Sequence, residues 1–386
     1  MANFDHLNAL LNDFVKTGPA GCSCAVAKEG KILYEGYFGQ ADAETGRPIT
    51  DDSVFRLFSM TKVIVCTAAM LLFERGKFLL DDPLEEYLPE YREAKVFVTR
   101  PNGTVVVEPT KHPILVKHAF SMAIGLPYPV LDMPTAHEMA KVKTRLSEEH
   151  GKYDLLTEVR AMGSVPLAFE PGSHWLYGYG HDVVAALIQI ISGKRVGDFL
   201  AEELFAPLEM ESTGYRFRGD IRERLVRCYS RNNDGTLSSS EFGGEEHHEP
   251  DALYESGGSG LLGTLKDYLT FSQILANGGQ HRGQRIIGRK TIDLMRQNQL
   301  DDTQIHDFQN SYLAGYGYGL GVRTLMSTAK GHSNGSLGEF GWTGALGTYL
   351  SVDPSEGLSM VYMHQLNPNL ERYHHLRVRA VVNGCL

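Results

Sequence analysis

The chain has 386 residues, a length that suits two domains or one domain with a large insertion. Hydrophobic residues at 42% and charged residues at 22% are typical of a globular protein and exclude a disordered or fibrous one. The net charge of -10 opposes binding to a phosphate backbone, so no nucleic-acid partner is predicted.

The predicted elements change along the chain, with strands near both ends and helices between them. In chain order they are a helix at 5–17, a hairpin of 21–27 and 32–38, a helix at 59–76, an extended pair near 101–107, helices in 131–163 and at 181–192 and 197–206, extended segments after about 222, helices at 265–277 and 289–298, strands at 318–325, 346–352 and 357–364, and a helix at 369–383. This order predicts an α/β (α+β) protein. Residues 1–57 and 255–386 form its sheet domain, and residues 58–254 form a mostly helical domain.

Signals for membranes, metals and export are lacking in the sequence. The N-terminal residues include neither a positively charged region nor a sustained apolar run, so no secretory signal is predicted. No stretch is apolar for long enough to span a bilayer, so no membrane partner is predicted. The five cysteines form no Cys-x-x-Cys pair, and neither a disulfide framework nor a zinc site is expected. The sequence therefore predicts a cytoplasmic protein without a metal.

The segment Ser59-Met60-Thr61-Lys62 opens the predicted helix at 59–76. Residues three apart lie on one face of a helix, so the amine of Lys62 can reach the hydroxyl of Ser59. The helix N-terminus supplies positive potential and unpaired N–H groups, which stabilise an alkoxide and then an oxyanion. Burial among apolar residues would disfavour the charged form of Lys62 and let it act as a base. The segment predicts Ser59 as a nucleophile, activated by Lys62 at the interface of the two domains.

The same Ser-x-x-Lys spacing occurs a second time, at Ser327 and Lys330, which shows how weak the pattern is by itself. Gly331 follows this second copy, and no helix is predicted after it. The copy therefore lacks the geometry that a helix gives to the first.

A further competing pattern is Gly331-His332-Ser333-Asn334-Gly335, which fits the Gly-x-Ser-x-Gly elbow of α/β-hydrolases. The elbow needs a strand before it and a helix after it, but the residues that follow are loop-like. Its acid and histidine would have to come from the last part of the chain, for example Asp353 and His364. This interpretation ranks below the one centred on Ser59.

Two other segments offer partners for Ser59. Tyr177 lies in a turn-rich loop before the helix at 181–192, where it can share a proton with Lys62 and act as a general base or leaving-group acid. A core aromatic residue is the simpler interpretation of that tyrosine. The run Gly341-Trp342-Thr343-Gly344-Ala345 is predicted to begin a late strand along which a substrate can lie. The N–H of Ala345 could then join that of Ser59 in an oxyanion hole.

Together these segments resemble the serine β-lactamase and penicillin-binding-protein superfamily, in particular class C β-lactamases and family VIII carboxylesterases. The resemblance follows one ordered series of motifs through most of the chain: residues 36–42, Val54-Phe55-Arg56-Leu57-Phe58-Ser59-Met60-Thr61-Lys62, and residues 81–89, 125–128, 205–210, 257–261, 315–321 and 342–344. It implies a β-lactamase/transpeptidase-like fold, with an antiparallel sheet flanked by helices beside a mostly helical domain. It also implies a mechanism without a cofactor, in which Ser59 is acylated and Lys62 and Tyr177 move protons.

Two departures from the family pattern narrow the expected substrate. Trp342-Thr343-Gly344 stands where β-lactamases and D,D-peptidases usually have Lys-Thr-Gly or His-Thr-Gly, so the cation that grips a penicillin carboxylate is missing. Tyr179 replaces the asparagine of the usual Tyr-x-Asn and removes an amide that would hold a substrate amide group. The tryptophan form resembles the esterase branch and related acyltransferases. The sequence therefore predicts hydrolysis of small carboxylic esters, with acyl transfer to an acceptor other than water as a variant of the same reaction. It also predicts an apolar acyl pocket and substrate contacts from Trp342 to Ala345 and from Tyr179.

Two alternatives remain open at this point. The same Ser-Lys-Tyr site could serve a β-lactamase or a D-amino-acid peptidase. The fold could also persist in a non-catalytic binding protein, in which Ser59 would be dispensable.

Overall fold

The computed structural model describes residues 3–242, 244–311 and 313–386. Its strands are β1 (Gly21–Lys28), β2 (Lys31–Asp42), β3 (Arg47–Pro48), β4 (Val54–Arg56), β5 (Lys95–Thr99), β6 (Val105–Pro109), β7 (Tyr229–Arg231), β8 (Leu237–Ser239), β9 (Leu262–Thr264), β10 (Gln280–His281), β11 (Gln284–Arg285), β12 (Tyr316–Tyr318), β13 (Arg323–Leu325), β14 (Phe340–Gly341), β15 (Tyr349–Asp353), β16 (Leu358–His364) and β17 (Leu366–Asn367). Its α-helices are α1 (Asp5–Thr17), α2 (Thr61–Glu74), α3 (Val116–Phe120), α4 (Pro134–His150), α5 (Leu155–Met162), α6 (Gly180–Ser192), α7 (Val196–Leu200), α8 (Ile221–Arg224), α9 (Leu265–Ala276), α10 (Arg289–Met295), α11 (Asp302–Ser311), α12 (Thr328–Gly331) and α13 (Glu371–Gly384).

The main sheet has eight strands in the order β12-β13-β14-β15-β16-β1-β2-β3, and its neighbouring strands are antiparallel. These strands come from residues 21–48 and 316–364, so segments near both ends of the chain complete one sheet. The side chains of β1 alternate between the two faces, as the pleat requires. Cys22, Cys24 and Val26 pack with α1 and α13, whereas Ala25 and Ala27 belong to the large core on the opposite face.

The helices α2 and α6 lie at the centre of the large core. Residues 61–72 of α2 are all buried, and α6 is buried from Gly180 to Ile188. A helix that is apolar all round must be surrounded by other elements, which fits its place between α6 and the remainder of the core. Lys62 lies in the first turn of α2 and is therefore fully buried.

Helix α2 begins next to a small two-stranded ladder. The antiparallel pair β4 and β9 joins Val54 to Thr264 and Arg56 to Leu262. The ladder therefore holds the start of the nucleophile helix against the segment around residues 256–261. The predicted boundary between domains 1–57/255–386 and 58–254 falls at this junction and stays a prediction.

Two glycines interrupt elements that were predicted from the sequence, one in a helical region and one in a strand. The helical region predicted at 131–163 is two helices, because Gly151 ends α4 at a φ of 67° and the Asp154 side chain caps α5 by accepting from Thr157 N. The strand predicted at 318–325 is the hairpin of β12 and β13, with Gly321 at a φ of 89° in its turn.

Two further predictions need correction nearer the candidate site. The late strand predicted from Gly341 ends there as β14, Thr343 forms a single bridge with Tyr349, and Ala345 lies in the turn that follows. A one-turn helix, α12, does follow Ser327, because the Ser327 side chain accepts from Lys330 N and caps it. The helices α3, α8 and α11 were not predicted, and α8 lies where extended segments were expected to begin.

None of the helices within the described residues is sufficiently long and apolar to cross a membrane. The predicted cytoplasmic location stays a prediction.

Candidate active site

The turn that carries Ser59 is a single 3-10 turn, Phe58–Met60, which leads directly into α2. Phe58 has a φ of 45°, a left-handed conformation that is strained for a bulky residue and persists only where neighbours hold it. Three hydrogen bonds hold this turn: Leu57 N donates to Leu261 O at 2.9 Å, Thr348 Oγ1 donates to Leu57 O at 3.1 Å, and Tyr268 OH donates to Met60 O at 2.9 Å. The backbone is therefore fixed on both sides of Ser59.

The Lys62 amine lies below the serine in a closed cluster of acceptors. It donates to Ser59 Oγ at 3.1 Å, to Tyr128 OH at 3.0 Å and to the carbonyl of Gly258 at 2.6 Å. The side chain is 0% exposed, and the amine also lies 4.6 Å from the ring centre of Tyr177. An amine so deeply buried and so close to a serine hydroxyl is placed to exchange a proton with it.

Two tyrosines flank the amine, and each has a different partner. The hydroxyl that contacts Lys62 is that of Tyr128, not that of Tyr177. The Tyr177 hydroxyl accepts a hydrogen bond from Trp342 Nε1 at 3.2 Å, while its ring faces the amine. Because the indole N–H is only a donor, Tyr177 keeps its own proton for another acceptor. Tyr177 thus lies beside Lys62, as predicted, but through its ring and not through a direct hydrogen bond.

The Tyr128 hydroxyl sits at the most enclosed point of the cluster. Its pKa lies well above the usual tyrosine value, first because of burial and second because of the nearby carboxylate of Asp182. The phenol therefore keeps its proton and remains a neutral partner for the Lys62 amine.

Asp182, in the first turn of α6, supports the peptide segment that binds Lys62. Its Oδ1 accepts from Ser256 Oγ at 2.7 Å and from Gly257 N at 3.1 Å, which fixes the backbone just before the Gly258 carbonyl. Its Oδ2 is buried and has no hydrogen-bond partner within the described residues. Burial raises the pKa of Asp182, against the effects of the Ser256 hydroxyl and of the Lys62 charge.

The backbone at Gly258 passes through a space that admits no side chain. A Cβ at this position would lie 2.6 Å from Tyr128 OH, 2.8 Å from Asp182 Oδ2 and 3.2 Å from Lys62 Nζ. All three polar groups therefore converge on one glycine, and this convergence places the Asp182 carboxylate beside the amine.

The Trp342–Ala345 segment forms the opposite wall. Gly344 packs against the backbone of Leu57, since a Cβ there would lie 2.5 Å from Leu57 O. Ala345 is exposed and lies in the turn directly after Gly344. Across residues 3–242, 244–311 and 313–386, neither Ser59 N nor Ala345 N donates a hydrogen bond. Both N–H groups predicted for the oxyanion hole are thus available to a ligand.

Tyr179 is 5% exposed, and it packs behind Tyr128 with the two ring centres 4.9 Å apart. Its hydroxyl accepts from Lys143 Nζ at 3.3 Å, and Lys143 in turn lies 3.6 Å from the carboxylate of Glu158. These contacts fix the position of Tyr179 behind Tyr128. A direct contact between Tyr179 and a substrate stays a prediction.

A cavity of about 550 Å³ opens next to the nucleophile turn, with Phe58 and Ser259 in its wall. Its wall also contains the aromatic residues Tyr153, Tyr215 and Tyr254, and charged residues such as Lys143 and Glu158 lie among them. A space of this size and character suits a medium-sized apolar group of a small-molecule ligand.

The competing serines lie outside this arrangement. Ser327 caps α12, and the Lys330 side chain is exposed to solvent. Ser333 follows α12 where an elbow would require a strand, and its hydroxyl accepts from Gly335 N. His364 contacts Tyr362 and the Asn369 carbonyl, away from that serine.

Neither Tyr128 nor Asp182 was predicted as a site residue. Tyr128 is the last residue of the motif at 125–128, Gly-Leu-Pro-Tyr, but a single tyrosine in a loop does not indicate a role in catalysis. Asp182 lies in the first turn of a helix, where an acidic residue is unremarkable. The available signal for Asp182 was a carboxylate at the head of an otherwise apolar helix.

Comparison with known proteins identifies the family and the fold. A sequence model described as Beta-lactamase matches residues 7–383. Esterase EstB of Burkholderia gladioli is 29% identical over 363 residues, which cover 89% of this chain and 85% of EstB. The solved structure of simvastatin synthase LovD from Aspergillus terreus matches with a TM-score of 0.84 and 22% identity, covering 100% of this chain and 99% of LovD.

A second solved structure is that of EstCE1, described as a hydrolase with promiscuous acyltransferase activity. It matches with a TM-score of 0.81 and 22% identity, covering 98% of this chain and 97% of EstCE1. These matches confirm the predicted resemblance and the predicted fold class.

Proposed function

The chain belongs to the Beta-lactamase family, and we propose that it is a serine hydrolase that cleaves small carboxylic esters through an acyl-enzyme. The observation that carries this proposal is the buried Lys62 amine 3.1 Å from the hydroxyl of Ser59, at the start of a helix. The esterase and acyltransferase descriptions of EstB and EstCE1 support an ester as the substrate.

Acylation begins with Ser59. Its Oγ attacks the ester carbonyl carbon while its proton passes to the Lys62 amine, which acts as the base in its uncharged form. The carbonyl oxygen becomes an oxyanion, which the N–H groups of Ser59 and Ala345 stabilise. We expect these two unpaired donors to bind the oxygen on which the charge develops.

The intermediate then breaks its bond to the leaving alcohol. Tyr177 gives its hydroxyl proton to the departing oxygen and becomes a phenolate beside the Lys62 ammonium, which keeps the proton taken from Ser59. Trp342 orients the Tyr177 hydroxyl for this step through its indole N–H. Tyr128 and the Gly258 carbonyl hold the amine in place throughout.

Water completes the cycle by attacking the acyl carbon of Ser59. Water gives a proton to the Tyr177 phenolate, the bond between the acyl carbon and Ser59 Oγ breaks, and the Lys62 ammonium returns its proton to Ser59. An alcohol in place of water gives acyl transfer by the same steps, which fits the acyltransferase activity described for EstCE1.

The cavity beside Phe58 is the proposed pocket for an apolar part of the ester. A β-lactam is the less favoured substrate, because Trp342 offers no cation to a carboxylate. A preference for p-nitrophenyl butyrate over the β-lactam nitrocefin, by about 100-fold or more in kcat/KM, is the expected result. Comparable rates would favour the β-lactamase alternative. A non-catalytic protein would show neither hydrolysis nor a change on Ser59→Ala.

A further inference from the structure

His248 lies in the wall of the cavity beside the nucleophile turn, as the last residue of the 3-10 turn Glu245–His248. It is 4% exposed. Its Nδ1 lies 3.0 Å from the Tyr215 carbonyl oxygen, and its own carbonyl accepts from Phe217 N at 2.8 Å. The ring also packs against that of Phe217, with the ring centres 5.6 Å apart. The imidazole is therefore held in one position on the cavity wall.

The hydrogen bond to Tyr215 determines which ring nitrogen carries the proton. A carbonyl oxygen only accepts, so Nδ1 is the donor. Burial lowers the pKa of His248 to about 4, and the nearby charges of Arg56 and Arg216 act in the same direction. The ring is therefore uncharged at neutral pH, and its Nε2 has a lone pair that can accept a hydrogen bond.

Nε2 is the ring nitrogen that a ligand can reach. It forms no hydrogen bond within residues 3–242, 244–311 and 313–386, and it keeps some accessible surface although the residue as a whole is buried. Because His248 lines the cavity, this surface is open to a molecule inside it. An acceptor in such an enclosed place gains most from a ligand that supplies the missing proton.

The cavity joins this acceptor to the reacting groups. Its wall contains Phe58, which directly precedes the nucleophile, and Ser259, which directly follows the carbonyl that binds the catalytic amine. Tyr215 holds the His248 ring through its carbonyl, and its hydroxyl donates to the Ser256 carbonyl at 2.8 Å. A substrate at the nucleophile can therefore extend along this wall towards His248.

The surroundings of Nε2 limit the chemistry of its partner. Ethers, esters and carboxylates have no proton to donate to it. An ammonium group could donate, but the guanidinium groups that disfavour a charge on the ring also oppose a cation beside it. The charged residues described in the cavity wall give an added cation no net attraction, since they are Arg56, Lys143 and Lys152 against Glu158 and Glu246. A neutral group that donates is the best fit.

We propose that His248 selects esters that carry a neutral hydrogen-bond donor, a hydroxyl or an amide N–H, on the part that fills the cavity. This inference rests on the proposed esterase function, and it names the polar end of a substrate group that is otherwise apolar. His248 acts by binding that end and takes no part in the transfer of protons.

The test compares kcat/KM for two pairs of esters in which a hydroxyl replaces a methyl group. In one pair, p-nitrophenyl ω-hydroxyhexanoate against p-nitrophenyl heptanoate, the donor is on the acyl side. In the other, p-hydroxymethylphenyl butyrate against p-ethylphenyl butyrate, it is on the alcohol side. His248→Asn keeps a donor for the Tyr215 carbonyl and removes the acceptor, whereas His248→Gln keeps an acceptor near the place of Nε2. His247→Asn is the control, because it changes the neighbouring histidine, whose side chain is 68% exposed.

We expect the hydroxyl-to-methyl ratio of kcat/KM to fall about tenfold in His248→Asn for at least one pair. The ratio should change by less than about threefold in His248→Gln and in His247→Asn. Methylation of the hydroxyl in that pair keeps the oxygen and removes the proton, so the wild-type enzyme should lose the same preference for the methyl ether. This last comparison requires no variant.

Ratios that stay the same in His248→Asn while the methyl esters are hydrolysed would overturn this inference and leave the esterase function intact. An equal fall in His248→Gln or His247→Asn would also overturn it, because loss of the acceptor would not explain that fall. A greater preference for an ω-ammonium ester than for the ω-hydroxy ester would contradict the assignment of a neutral donor. Hydrolysis of none of these esters by wild type would overturn the proposed function together with this inference.

Discussion

The chain contains two Ser-x-x-Lys segments, and their surroundings differ in every respect that matters for chemistry. At the first, Ser59 precedes a 14-residue helix, and Lys62 is 0% exposed with its amine 3.1 Å from the serine hydroxyl. At the second, Ser327 precedes a helix of four residues, and its hydroxyl accepts from the backbone N–H of Lys330 while the lysine side chain is exposed.

In the second segment the serine serves as the N-cap of a helix, because it accepts a hydrogen bond from the backbone N–H of the lysine. The spacing of serine and lysine is identical in the two segments. They differ in the burial of the lysine amine and in the polar groups that surround it. A four-residue motif therefore indicates a nucleophile only where the fold removes the lysine from water and gives the serine a strained, fixed turn.

Replacement of the two lysines should give the largest difference between the segments. Lys62→Met keeps the volume of the side chain and removes the proton acceptor, so kcat for p-nitrophenyl butyrate should fall by about 10³-fold or more. Lys330→Met should leave kcat unchanged within the error of the assay. An active Lys62→Met enzyme would break the distinction drawn between the two segments.

The first segment could be predicted from the sequence because its motif, its apolar helix and its partners are all local patterns. The sheet formed by the two ends of the chain was predicted for the same reason. Tyr128 and Asp182 could not be predicted, because their roles depend on Gly258, a residue more than seventy positions away from either of them. The break at Gly151 and the turn at Gly321 were missed because the sequence does not show which glycines adopt a positive φ.

Two tyrosine variants test the surroundings of the first segment. Tyr177 and Tyr128 flank Lys62, whereas no aromatic contact is described for Lys330. Tyr177→Phe should lower kcat by about 10²-fold, since it removes the proposed donor to the leaving group. Tyr128→Phe removes only a hydrogen bond to Lys62 and should cost about tenfold. A leaving group of low pKa, such as p-nitrophenol, should reduce the Tyr177 effect relative to an alkyl ester. The reverse order of the two effects would assign the proton transfer to Tyr128.

Asp182 offers a way to separate charge from positioning. Asp182→Asn keeps an acceptor for Ser256 Oγ and Gly257 N, so the Gly258 carbonyl should stay in place and kcat should fall by about tenfold or less. Asp182→Ala removes that acceptor, and we expect both a larger loss of kcat and a lower free energy of unfolding. Equal losses in the two variants would mean that the carboxylate acts through its charge alone.

The last expected effect concerns stability and not catalysis, at the turn that carries Ala345. His375 contacts the Gly347 carbonyl through Nε2 at 3.1 Å, and burial lowers its pKa from 6.5 to about 3. The unfolded chain binds a proton here below pH 6.5 that the folded chain does not, so the free energy of unfolding falls as the pH drops from 6.5 towards 3. The slope for this group is about 1.4 kcal/mol per pH unit, and its contribution is fully present above pH 6.5.

Urea denaturation of wild type and His375→Gln over this pH range measures the contribution. The glutamine would still donate a hydrogen bond to the Gly347 carbonyl. The slope of the free energy of unfolding against pH should therefore fall by the amount that corresponds to about one proton. An unchanged slope would show that His375 is accessible to protons in the folded chain.

The most direct test of the account is the intact mass of the protein after reaction with a fluorophosphonate, which phosphonylates an activated serine. Wild type, Ser327→Ala and Ser333→Ala should each gain one adduct, whereas Ser59→Ala should gain none. A label that persists in Ser59→Ala and disappears in Ser327→Ala or Ser333→Ala would contradict the assignment of Ser59 as the nucleophile.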